Sequence, residues 1–393
     1  MTDSPADPPV LSAAETRAAE ALLTDHRGAS VPVRAAEKIW GRSHIVRLRL
    51  GDDRTVVLKR RRQGDFAGPA LSFNAELAAL EFLSPMQNPV APRLLGADPT
   101  AGILVMEDLG PGTSLADSLL ADDGARAEAD LVSYARALGR MHAWSIGRSR
   151  EYAKIRARIA GDADTRFAPF WIDALVGGKE PFLAMSAGLG LPTGGAGEEI
   201  DSLRTLLDGA GYVGLVHSDL CPDNTHIVDG VCRIIDFETS GWGPIVLDVA
   251  YLLAPFPSCW CFASLPAFAA DPALLAYRDQ MAGEGVELGP DWDAALTAAL
   301  AGWVVARGAG IGRALDQDRN WGTTTVRPRL LTWLRSFTRS AARAGVLPRL
   351  GALTQALEEQ LQSRWPDAVV PEYPALATPG APLARIPRLP DED

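Results

Sequence analysis

Residues 213 to 235 read VGLVHSDLCPDNTHIVDGVCRII, and they restrict the fold more than any other part of the chain. The apolar runs VGLV, THIV and VCRII are too short for helices and read as strands. The VDG between the last two reads as a hairpin turn. Between the first two lies HSDLCPDN, with a histidine, two carboxylates and an amide in eight residues. Groups of this kind are costly to bury without partners. A fold that accepts this segment must place a polar loop at the mouth of a short hairpin and satisfy it from elsewhere.

The rest of the chain divides by texture. Residues 1–30 read as an acidic, Pro-rich lead and one helix. Residues 31–110 are strand-rich, with IVRLRL and TVVLKR joined by a turn at Gly51 to Asp53 as a hairpin. One helix, 71–83, follows the hairpin, with Ser72 as a candidate N-cap. Phe73, Leu77, Leu80 and Leu83 form its apolar stripe. Beyond residue 110 the pattern becomes helical, and Ser114 with Asp117 forms an S-x-x-D capping box. Residues 111–363 read as one large helical lobe, and 364–393 as a Pro-rich extended tail. The expected class is α+β, a small β-rich lobe followed by a large, mostly helical one.

Composition narrows the function. The net charge is −11, and residues 201–300 carry 14 Asp/Glu against 3 Lys/Arg. A nucleic-acid partner is not expected of such a region, whereas a metal ion or a cationic ligand is. No apolar run reaches the ~18 residues that span a bilayer, and the first residues lack the basic and apolar regions of a secretory signal. A cytoplasmic protein without a membrane partner is expected. Four cysteines in 393 residues do not make a disulfide framework, and all four are expected to be reduced and mostly structural.

The polar segment has a chemical reading. Asn224 and Asp236 stand at the two ends of the predicted hairpin, which brings its ends together. An amide oxygen and a carboxylate so held suit Mg²⁺. Asp219, on the preceding loop, can accept a proton from a hydroxyl nucleophile. Phosphoryl transfer needs such a set, together with a lysine on the nucleotide phosphates. Lys59 ends the strand TVVLK. Glu76 falls on the apolar stripe of the next helix, where a carboxylate needs a partner. Arg60 to Arg62 rival Lys59, because strand register is uncertain by one residue. Glu81, at the stripe's edge, is the lesser candidate for the partner.

These residues resemble the aminoglycoside phosphotransferase and choline kinase-like superfamily, which has the protein-kinase-like fold. HSDLCPDN resembles its catalytic loop and IIDFE its metal-binding segment. The resemblance implies Asp219 as base, Asn224 and Asp236 as Mg²⁺ ligands, and Lys59 on the phosphates of ATP, held by Glu76. GTP stays open as the nucleotide. LVMEDLG resembles the hinge, with backbone groups of Met106, Glu107 and Asp108 against adenine. His217 and Asp248 are implied as structural supports. The phosphate-covering hairpin departs from the family's Gly-rich pattern, with Gly41 alone and Ser43 as a candidate phosphate contact. Ser218 stands where glycine is commoner.

The implied activity is transfer of the γ-phosphate to a hydroxyl of a small molecule. The acidic stretch suits a cationic or amino-bearing acceptor, such as an aminoglycoside or related antibiotic, an amino sugar or an amino alcohol, with Glu238 as a candidate contact. A protein kinase is the poorer reading, since only 11 residues separate Asp236 from Asp248. A non-catalytic nucleotide-binding scaffold would be expected to lack one of the groups named above.

Overall fold

The first helix shows how local sequence sets local structure. Ser12 Oγ accepts from the Glu15 N–H at 3.2 Å, and the Glu15 carboxylate accepts from the Ser12 N–H at 2.8 Å. This reciprocal box opens α1 (Ala13–Arg27), and Gly28, at φ 69°, closes it. The structure is a computed structural model that describes residues 10–39, 42–62, 69–160, 177–209 and 211–384. Two compact units are present. The first is drawn from Met1–Pro111, Arg150–Phe167 and Ile235–Thr239, and the second from Gly112–Ser149, Ala168–Ile234 and Ser240–Asp393.

The first unit is built on an antiparallel sheet of five strands, β1 (Val33–Ile39), β2 (Arg42–Leu50), β3 (Thr55–Arg60), β4 (Leu94–Asp98) and β5 (Ile103–Glu107). Their spatial order is β1-β2-β3-β5-β4. The predicted hairpin is β2–β3, in a register that sets Ile45 opposite Lys59 and Arg49 opposite Thr55. Ala19 and Leu23 of α1 pack against Val46, Leu48, Val56, Leu58 and Val105, so α1 covers one face of the sheet.

Alternation along β3 settles which cation faces where. Val56 and Leu58 point into the core under α1. Arg60 shares that face, and its Nε donates to Glu15 of α1 at 2.5 Å. Lys59 therefore points to the other face, and Arg60 is not its rival. The helix after the hairpin, α2 (Pro69–Leu83), begins earlier than the sequence reading placed it. Ser72 is a buried residue inside the helix and not its cap.

The second unit opens with α3 (Leu115–Leu120), capped by the predicted Ser114–Asp117 box, and α4 (Gly124–Ser145), capped by Asp123. The helix α5 (Ser149–Ala160) returns to the first unit, where Tyr152 meets Phe82 edge-on and Arg158 pairs with Glu81. The second unit continues with α6 (Lys179–Gly188) and α7 (Ala196–Gly209). Strands β6 (Val213–Val216) and β9 (Gly241–Pro244) pair with each other, as do β7 (Thr225–Val228) and β8 (Val231–Ile234). The β7–β8 turn places Asp229 at φ 50° and Gly230 at φ 75°, the two left-handed residues that a tight hairpin turn requires.

Five further helices make the bulk of this unit: α8 (Val246–Leu253), α9 (Ala267–Gly283), α10 (Trp292–Asp316), α11 (Val326–Ala344) and α12 (Pro348–Arg364). Helix α4 packs on α9, and α10, α11 and α12 pack in succession. The Pro-rich tail docks as far as it is described, with Tyr373 fully buried and Glu372 bridged to Ser264 and Leu383. Among the described residues, no single helix is long and apolar enough to cross a membrane. The expected α+β class is the one observed, a five-stranded antiparallel sheet and a largely helical second unit.

Candidate active site

In the second unit, the loop after β6 is hung from one buried carboxylate. Asp248 on α8 accepts the His217 N–H at 2.7 Å and the Ser218 N–H at 2.9 Å. His142 Nε2 lies 3.2 Å from the same carboxylate, and His142 Nδ1 lies 2.9 Å from the Tyr277 hydroxyl. His142, His217 and Asp248 have no exposed surface. With the imidazole proton on Nε2, His142 donates to Asp248 and accepts from Tyr277, so the chain of bonds closes without an orphan. Ser218 is forced to φ 69°, the left-handed region that glycine enters without strain. A glycine here would relieve a backbone cost that this chain bears.

This turn delivers Asp219. The Asn224 amide nitrogen donates to the Asp219 carbonyl at 2.7 Å and to its carboxylate at 3.3 Å. The Ser258 hydroxyl donates to the other carboxylate oxygen at 3.0 Å. The predicted Asp219, Asn224, His217 and Asp248 are thus brought together in one unit. Ser258 escaped the sequence reading, as did Tyr251, whose hydroxyl lies 3.0 Å from both the Ser218 carbonyl and Ser258 Oγ. Neither carries a motif, and both come from beyond the hairpin. Arg307, lodged against Trp303 and Trp321, is a third; burial lowers its pKa, against the opposing charges of Tyr251 and Asp219.

Cysteines 221 and 259 correct the expectation of four reduced thiols. They form a disulfide, their Cα atoms 5.4 Å apart across a sequence separation of 38. Spacing arithmetic misses a pair that the fold alone brings together. Cys232 and Cys261 are free and buried, as expected for structural thiols.

The first unit holds the other group of predicted residues. Lys59 Nζ donates to Glu76 Oε1 at 2.8 Å and also to Asp236. Lys59 is 6% and Glu76 4% exposed, so this is a buried cluster and not a solvated surface pair. Burial alone would lower the lysine pKa. The charges of Asp236, Glu76 and Glu238 outweigh it, and Lys59 is held above its ordinary value, hence cationic. Burial, with the Asp236 charge adding to it, pushes the Glu238 carboxyl up to about 7. Glu238 is paired with Arg62 at 3.5 Å, and the structure gives it a place in this cluster.

The residues predicted as the hinge are partly committed to the protein itself. The Glu107 N–H donates to the Arg93 carbonyl at 2.9 Å, so it is not open to a base. Asp108 takes Arg47 Nε at 2.7 Å and the Gly110 N–H at 3.1 Å. Met106 lies on β5 opposite Val57. Gly41 and the side chain of Ser43 lie outside the described residues.

The sequence profile of APH, the phosphotransferase enzyme family, matches residues 37–294. The chain belongs to this family. Among solved structures, the phosphotransferase is 13% identical to an aminoglycoside phosphotransferase from Alicyclobacillus acidocaldarius, covering 84% of this chain and 93% of that one at a TM-score of 0.43. A choline kinase from Cryptosporidium parvum is 13% identical over 83% of this chain and 92% of that one, at 0.46. A choline/ethanolamine kinase family protein from Mesorhizobium loti is 16% identical over 82% and 93%, at 0.41. No curated protein matches the phosphotransferase in sequence.

A kinase-like phosphotransferase implies ATP and a divalent metal, and the donor chemistry here fits one. Mg²⁺ takes hard oxygen ligands, few of them from protein, the rest from water and phosphate. Asp236 offers a carboxylate. Both hydrogen bonds of the Asn224 side chain to Asp219 run through its nitrogen, and its amide oxygen takes part in neither. Among the described residues no cluster of three His, Cys, Asp or Glu ligands exists.

Proposed function

We propose that this phosphotransferase moves the γ-phosphate of ATP to a hydroxyl of a small, cationic or amino-bearing acceptor. The observation that carries the reading is the fixed carboxylate of Asp219, held from both sides by Asn224 and Ser258 on a loop anchored by Asp248. A base in phosphoryl transfer must be oriented before the nucleophile arrives, and these bonds orient it.

Asp219 takes the hydroxyl proton as the acceptor oxygen bonds to the γ-phosphorus. The bond from that phosphorus to the β–γ bridging oxygen breaks, and ADP leaves. Lys59, kept charged by Asp236 and Glu76, would lie on the phosphates and offset the growing negative charge. Asn224 and Asp236 would hold Mg²⁺, which supplies charge neutralisation on the phosphate oxygens. The 14 acidic residues among 201–300 favour an acceptor bearing a positive charge.

The test is ADP release from ATP·Mg²⁺ across aminoglycosides, basic peptide antibiotics, amino sugars, amino alcohols and neutral sugars. Stimulation by an amino-bearing class, lost in Asp219→Ala while ATP still binds, is the expected result. Stimulation by neutral sugars alone would reject the acceptor class. Equal loss of ATP binding and turnover in Asp219→Ala would reject the assignment of the base.

A further inference from the structure

Three consecutive residues of the turn after α8 reach three alternate residues of the loop that carries Asp219. The Ser258 hydroxyl donates to the Asp219 carboxylate at 3.0 Å. Cys259 is bonded covalently to Cys221. Trp260 Nε1 donates to the Asp223 carboxylate at 2.8 Å. We propose that residues 258–260 form a clip that sets the catalytic loop, and that Ser258 is the positioning residue for the base. The proposal rests on the reading of Asp219 as that base.

The turn is rigid enough for this work. Phe256, at φ 51°, donates its N–H to the Tyr251 carbonyl at 2.6 Å, and the Cys259 N–H returns to the Phe256 carbonyl at 3.1 Å. Behind it lies Arg329, fully buried, with Nη1 on the Cys259 carbonyl at 2.7 Å and Nη2 on the Trp321 carbonyl at 2.7 Å. The Thr323 N–H holds the Trp260 carbonyl at 2.8 Å. Gly322 permits that approach, because a Cβ there would come within 1.8 Å of the same carbonyl oxygen.

Proton counting assigns the direction of the key bond. Ser258 and Tyr251 have one hydroxyl proton each, and four contacts compete for them: Ser258 to Asp219, Ser258 to the disulfide sulfur of Cys221 at 3.6 Å, Tyr251 to Ser258, and Tyr251 to the Ser218 carbonyl. The charged acceptor takes the serine proton, since hydrogen bonds to a carboxylate are the stronger kind. The tyrosine proton is left to be shared between Ser258 Oγ and the Ser218 carbonyl. Burial, and after it the Asp219 charge, keeps the Tyr251 hydroxyl protonated. Ser258 thereby donates to one oxygen of Asp219 while Asn224 donates to the other, and the carboxylate cannot rotate freely.

The test compares Ser258→Ala, Ser258→Thr and Asp219→Ala with the wild type, by ADP release from ATP·Mg²⁺ with the most stimulating acceptor of the panel, or with water as acceptor. Thermal unfolding is recorded on each. Ser258→Ala is expected to lower kcat roughly tenfold, the size of one lost charge-assisted bond. The KM for ATP stays near wild type, the unfolding midpoint falls by only a few degrees, and Ser258→Thr recovers most of kcat. An unchanged kcat in Ser258→Ala, with turnover abolished in Asp219→Ala, overturns the positioning role and leaves the kinase reading intact. Parallel losses of stability and kcat in both serine variants also overturn it, because they mark a purely structural contact. Unchanged ADP release in Asp219→Ala removes the base assignment, and the role of Ser258 falls with it.

Discussion

Replacing Asp248 with alanine is expected to destabilise the second unit by about 4 kcal/mol. Its carboxylate is the meeting point of the His217 N–H, the Ser218 N–H and His142 Nε2, all buried. Each buried donor left without an acceptor costs roughly 1–3 kcal/mol, and three donors lose theirs together. Water entering the new space recovers part of that, which brings the total to about 4 kcal/mol. Asp248→Asn keeps one acceptor oxygen but turns an NH₂ toward a donor, and about half the loss is expected. For a unit of this size each kcal/mol moves the midpoint by roughly 2–4 °C. Alanine should therefore lower it by about 10 °C, and asparagine by about 5 °C. Urea titration followed by circular dichroism, with calorimetry beside it, measures both. A loss below about 1 kcal/mol in Asp248→Ala would refute the reasoning, since three buried donors cannot be abandoned so cheaply.

Ser218→Gly should stabilise by about 1 kcal/mol, because it removes a side chain from a left-handed backbone position; a urea titration showing a loss would mean that the serine side chain outweighs the strain. Arg60 holds the Glu15 carboxyl down at about 2. Its folded value is depressed, so its contribution is complete above the unfolded value near 4.5 and is lost as pH falls toward 2. Acid titration of stability should flatten over that window in Glu15→Gln, and an unchanged slope would remove Glu15 from the account. The Cys221–Cys259 bond closes a 38-residue separation, worth about 3–4 kcal/mol on a chain-entropy estimate. Cys221→Ser/Cys259→Ser should lower the unfolding midpoint, and dithiothreitol should do so in the wild type but not in the double variant.

Much of this was legible because it is local. The β2–β3 hairpin announces itself by alternation, the β7–β8 turn by Asp229-Gly230, and the start of α3 by Ser114 and Asp117. Glu76 was legible one level up, since helical phase put a carboxylate on an apolar stripe and only a buried cation could answer it. Ser72 carries the side chain of a cap, yet the helix already runs through it, and no local signal separates a capping serine from one buried inside a helix. The contacts at residues 258–260 were not legible at all. Ser258, Cys259 and Trp260 meet residues 37–39 positions earlier in the chain, through a turn whose shape depends on Arg329. No periodicity or spacing rule carries information of that kind.

The face assignment of β3 has one more consequence. Residues 59–62 read Lys-Arg-Arg-Arg, so electrostatics is nearly blind to a threading error in this strand. Slide it by one residue, and Arg60 would reach Glu76 while Arg61 reached Glu15. Both acids would still have a cation. The same slide would push the Lys59 ammonium into the place of Leu58, among Val46, Val105 and the side chains of α1. An ammonium stripped of water in that setting costs far more than the ion pairs could return. The identity of the cation beside Glu76 is thus decided by an uncharged residue, the buried Leu58, and a change there would unsettle the chemistry without altering a single charge.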